Sequence, residues 1–180
     1  MEQIIKIIFY AFSKYFWVFA IFITLIPVAT AKRASNHYIQ KKPELAPGYS
    51  KLFCGYLIWM NIPWVVMGIG CTVGQVPSIW YFFNPRDSNP YVLAWFSSIF
   101  IMMIVITYWI FFKGGAEFLI KHHNVLSIDI SNPKVIRFFW LLLLVAGVFI
   151  MLTMWVVDFP IPQLLLQNIL QSRPILCIAL

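Results

Sequence analysis

The sequence predicts an all-α fold: an integral membrane four-helix bundle made of two transmembrane hairpins, with a short interfacial helix in the second long loop. Three observations carry that expectation. The 180 residues are 62% hydrophobic and only 11% charged, against about 45–50% and about 25% in soluble domains. Four apolar stretches are each long enough to cross a bilayer, which takes about 20 residues. Basic residues collect in two loops that lie on the same side of those stretches. One small soluble core cannot bury so much apolar surface, so a soluble globular domain is excluded.

The first predicted span covers residues 15–31 and starts as early as Ile4 if the apolar N-terminal residues join it. Its end, Ala29-Thr30-Ala31, resembles a signal-peptide cleavage site. Charge argues against cleavage. Lys32, Arg33, Lys41, Lys42 and Lys51 follow span one, and Lys113, Lys121, Lys134 and Arg137 follow span three. These make nine of the 13 basic residues. Short loops rich in Lys and Arg stay in the cytoplasm, and removal of span one would force both outside. Loops 32–51 and 113–134 are therefore expected in the cytoplasm of a cell-membrane protein, with both ends of this chain outside.

The second span, 52–76, is the least regular. Pro63 removes a backbone donor near its middle and predicts a kink. Asn61 places an amide near mid-membrane. Gly68, Gly70 and Gly74 follow, and Gly70-x-x-x-Gly74 suits close packing against another helix. Asn61, Thr72 and Gln75 are expected to line a polar face beside the Pro63 hinge, met by Ala20 and Thr24 of span one and Ala94 and Ser98 of span three.

Span three, 91–112, opens on Asn89-Pro90, and span four, 135–159, on Asn132-Pro133. In each, Asn caps the first free N–H groups and Pro suits the first helical position. Between spans two and three lies a polar turn, 84–89, flanked by Trp80-Tyr81-Phe82-Phe83, Tyr91 and Trp95. This is an aromatic belt for a membrane surface. Arg86 is expected to pair with Asp158 on that outer side. In the second cytoplasmic loop, residues 116–126 form the interfacial helix, with Glu117 and Lys121 spaced for an i,i+4 pair. An apolar tail, 160–180, completes one transmembrane domain over 1–180.

The reactive inventory is thin. Cys54, Cys71 and Cys177 form no C-x-x-C pair, so no disulfide framework, thiol-redox motif or cysteine-based zinc site is expected. No histidine lies inside a span, which excludes an intramembrane bis-His haem. His37, His122, His123 and Glu117 are the candidate metal ligands, although adjacent His122 and His123 point in different directions on a helix. No nucleophile elbow or phosphate loop is present. No cofactor is expected.

Three functions fit. The first is a non-catalytic subunit or assembly factor of a larger membrane complex. The second is a small transporter or channel working through the kinked second span. The third is an interfacial lipid-acting enzyme using the cytoplasmic His and carboxylate cluster. The expected partners are other membrane subunits or a second copy of the chain. Anionic lipid head groups are expected at the cytoplasmic loops. The net charge of +7 reads as topology and lipid contact, not as nucleic-acid binding.

Overall fold

A computed structural model describes residues 2–122 and 132–159. Among them are helices and turns and no strand. The long elements are α1 (Glu2–Lys41), α2 (Ala46–Thr72), α3 (Pro90–Phe112) and α5 (Pro133–Val156), with a short α4 (Gly115–Lys121) between the last two. Four helices are long and apolar enough to cross a membrane.

The first of these differs from expectation. Residues 32–41, expected as loop, continue α1 as helix. At 1.5 Å per residue α1 is about 60 Å long, about twice a bilayer's hydrocarbon core. The cause is local. Between Ala31 and Lys41 there is neither Pro nor Gly, so nothing stops the helix when the side chains turn polar. The first breaker is Pro43. It forces Lys42 before it out of the helical region, to φ −139° and ψ 84°. One 3-10 turn, Pro43–Leu45, then reverses the chain into α2. The expected loop 32–51 therefore shrinks to this turn.

Span two begins at Ala46 and ends at Thr72 instead of Val76. The residue before Pro77 is held away from helix, and the chain unwinds over the preceding residues. Val76 N donates to Gly70 O at 3.0 Å, while Gln75 takes the left-handed φ of 51°. Two 3-10 turns, Ile79–Phe83 and Pro85–Asp87, lead to α3. Asn89 Oδ1 accepts from Tyr91 N at 3.0 Å and Asn132 Oδ1 from Lys134 N at 2.9 Å, so both predicted caps form. The helix expected at 116–126 runs instead from Gly115 to Lys121. Residues 123–131, with His123, lie outside the described residues, as does the tail 160–180. Span four runs from Pro133 to Val156, and residues 157–159 leave the helix.

The long helices pack in a row: α1 on α2, α2 on α3, α3 on α5. Among the described residues α1 and α5 share no comparable seam, which a closed four-helix bundle needs. Two clusters hold the row. The larger lies at the end carrying connector 73–89, with Met67, Cys71, Val76, Ile79, Phe82, Val92, Trp95 and Phe96 buried together. The smaller lies at the opposite, basic end, where Ile110, Ala116 and Ile136 join α3, α4 and α5.

Candidate functional site

Asn61 lies near the middle of α2 and is half-buried. Its Nδ2 donates to Thr24 Oγ1 at 2.9 Å and to Leu57 O at 2.7 Å. Thr24 Oγ1 lies 3.1 Å from Asn61 Oδ1 and donates to Ile21 O at 2.7 Å. The amide thus bridges α1 and α2 and also bonds the preceding turn of its own helix. Thr72 and Gln75 do not join it. Thr72 Oγ1 donates to Gly68 O at 2.7 Å, about 16 Å along the helix from Asn61. Gln75 is exposed in the turn beyond α2. The expected polar lining is therefore three separate groups. Pro63 is half-buried within α2.

The glycines seat rings, not a neighbouring backbone. A Cβ on Gly68 would meet Trp17 Cδ2 at 2.7 Å, and one on Gly70 would meet Phe82 Cζ at 2.7 Å and Tyr91 Cβ at 3.1 Å. A Cβ on Gly74 would strike the Tyr91 ring. Gly68 thus couples α2 to α1, while Gly70 and Gly74 couple it to the connector and the first turn of α3. Gly74 lies beyond the end of α2, so the two members of the small-x-x-x-small pair do not share one helix face.

At the basic end, α4 docks through His122. Its side chain is buried, 3% exposed. Nδ1 lies 2.7 Å from Phe118 O. A carbonyl only accepts, so Nδ1 carries the proton there. The ring meets Tyr49 edge-on, centroids 5.0 Å apart, and Phe118 at 4.3 Å. Gly48 gives it room, because a Cβ at that position would overlap the imidazole. Glu117 pairs with Arg137 of α5, Nη2 to Oε1 at 2.5 Å, in place of the expected i,i+4 contact with Lys121. His37 is exposed on α1 beside Tyr38. Among the described residues no three His, Cys, Asp or Glu side chains gather as a metal site.

The connector end carries a clasp whose central member, Asn84, sequence reading missed. Asn84 is 9% exposed. Its Nδ2 donates to Phe159 O at 3.1 Å and its Oδ1 accepts from Phe159 N at 3.0 Å. Beside it, Arg86 Nη2 is ion-paired with Asp158 Oδ1. The only sequence signal for Asn84 is its place in a polar turn, which does not name a partner so distant along the chain. In the aromatic cluster nearby, Ser78 Oγ and the indole nitrogens of Trp17, Trp80 and Trp95 are buried without a hydrogen-bond partner among the described residues.

Lys32, Arg33, Lys41, Lys42, Lys51, Lys113, Lys121 and Lys134 are all exposed at the basic end. Among the described residues none of them is in an ion pair. Lys113 Nζ sits 5.6 Å over the Tyr108 ring. No family model matches the chain, and no curated protein or solved structure is similar to it.

Proposed function

We propose that the chain is a non-catalytic, multi-pass subunit or assembly factor of a larger complex in the cell membrane. It crosses the bilayer four times as two hairpins, with its basic end in the cytoplasm and both ends of this chain outside. Its partners are other membrane subunits or a second copy, together with anionic lipid. The observation that carries the non-transport part is Asn61. The amide a transport path through span two would use is bonded to Thr24 and Leu57, and Thr72 bonds its own helix. These polar groups serve packing, as interhelical hydrogen bonds in membranes commonly do.

The partner part rests on the open row. In α5 only 6% of the span is buried, and its large side chains from Phe138 to Trp155 point mostly outward. Its packing on α3 is light, fixed by the Trp140–Thr107 hydrogen bond of 2.9 Å and the Met103–Gly147 contact. Lipid or another protein must cover the rest of that helix.

Purification in mild detergent from its own membrane tests the reading. A discrete assembly with a constant partner, or a homo-oligomer of fixed size, is expected. A bare monomer in mild detergent, together with solute flux in proteoliposomes that Asn61→Leu abolishes, would replace the subunit with a transporter.

A further inference from the structure

Side-chain contacts between neighbouring helices fix how far each one is shifted along the row. Thr24 meets Asn61, Gly70 meets Tyr91, and Trp140 meets Thr107. The α1 and α2 chains run antiparallel, as do α2 and α3, and α3 and α5. Each pin therefore converts a position on one helix into a level on its neighbour.

From Thr24, Lys32 and Arg33 lie about 12–14 Å toward the basic end, and from Asn61, Lys51 lies about 15 Å the same way. From Gly70, Lys51 is about 29 Å away, and from Tyr91, Lys113 is about 33 Å away. Lys113 and Lys134 each lie about 9 Å beyond the Thr107–Trp140 bond. The five residues therefore fall within one slab about 8 Å deep, although they come from four helices. All five are exposed. Lys41 lies about 12–14 Å farther out along the α1 extension.

The depth of the slab fits a bilayer. From Lys14 to Lys32 is about 27 Å of α1, with Thr24 near the middle, and a hydrocarbon core is about 30 Å thick. Lysines and arginines at that level place their charge among lipid phosphates while their stems stay in hydrocarbon.

We infer that Lys32, Arg33, Lys51, Lys113 and Lys134 form a collar at the phosphate level of the cytoplasmic leaflet and bind the head groups of anionic phospholipid. The occupant follows from charge and depth. The collar is uniformly cationic; of the acidic groups described at this end, Glu117 is held by Arg137 and Glu44 sits farther out on the turn after Lys42. An acidic protein would find easier access to Lys41 and Lys42 on the projecting hairpin than to side chains at the membrane surface. The inference depends on the membrane-spanning reading but not on the identity of any protein partner.

The test is the lipid retained by the full chain in nanodiscs made of equal phosphatidylcholine and phosphatidylglycerol, counted by native mass spectrometry. Phosphatidylglycerol should be enriched several-fold, since each basic residue near an anionic surface contributes about fivefold. The enrichment should fall at about 1 M salt, where the screening length is about 3 Å. It should be lost in the variant Lys32→Gln, Arg33→Gln, Lys51→Gln, Lys113→Gln, Lys134→Gln and kept when the four lysines become arginine. The distal variant Lys41→Gln, Lys42→Gln, on the projecting hairpin, should keep it.

If the five-fold variant fails to fold, the wild-type salt response and the arginine and distal variants still decide. Equal retention of both lipids overturns the inference, as does enrichment lost only in the distal variant. Displacement by inorganic phosphate would mean a free-anion site instead. Binding of a polyglutamate peptide without lipid preference would mean a protein-docking face. A chain that does not enter the nanodisc at all refutes the membrane reading, whereas entry without preference refutes only the collar.

Discussion

Asn61 shows how one residue type serves two opposite hypotheses. An amide in mid-membrane is costly when unpaired, so from sequence it marks either a polar path or a packing bond. The distances favour packing, with both amide atoms within hydrogen-bond reach of Thr24. Such bonds contribute only about 0.6 kcal/mol on average between membrane helices. Thr24 also keeps Ile21 O as a partner, so Asn61→Leu orphans nothing. We therefore expect Asn61→Leu to lower stability by less than about 1 kcal/mol in a detergent-unfolding titration. With Thr24→Ala, the double-mutant cycle should show a coupling of similar size. A loss of several kcal/mol would mean that Asn61 holds more than this one seam. His122 teaches the converse. From sequence it is a candidate metal ligand, yet it is a buried ring in the socket of Gly48, Tyr49 and Phe118. That socket joins residues far apart in the chain, so no local spacing announces it.

Among the elements, the apolar parts of all four long helices were legible, because a run of about 20 apolar residues has few alternatives, and Asn-Pro marks where α3 and α5 begin. The caps at Asn89 and Asn132 followed the same rule. The extension of α1 to Lys41 was not legible by hydropathy, which sees only apolar segments and not polar helix beyond them. Breakers are the better guide there, since Pro43 and not Lys32 ends the helix. The connector clasp was half legible. Charge suggested Arg86 with Asp158, but those side chains are 42% and 83% exposed, where an ion pair contributes under about 1 kcal/mol. Asn84 is buried and holds both backbone groups of Phe159. Removing it loses two hydrogen bonds, each contributing about 0.5–1.5 kcal/mol. Asn84→Ala should therefore destabilise the chain more than Arg86→Ala, as read by thermal unfolding in detergent. The reverse order would assign the clasp to the ion pair.

For the whole molecule, the row of helices has two ends of different chemistry. One is an aromatic and apolar cap built on connector 73–89. The other presents exposed cations from α1, α2, α4, α5 and the Lys113 junction. The function proposed and the lipid collar both require these ends to face opposite sides of one membrane, with the basic end inside. Gln40 on the α1 extension and Ser88 in the connector are both exposed. The most direct measurement places single cysteines at Gln40 and Ser88, in a background without Cys54, Cys71 and Cys177, and treats intact cells with a membrane-impermeant maleimide. The account predicts labelling of Ser88→Cys in intact cells and of Gln40→Cys only after permeabilisation. Labelling of Gln40→Cys in intact cells, with or without labelling of Ser88→Cys, would contradict it.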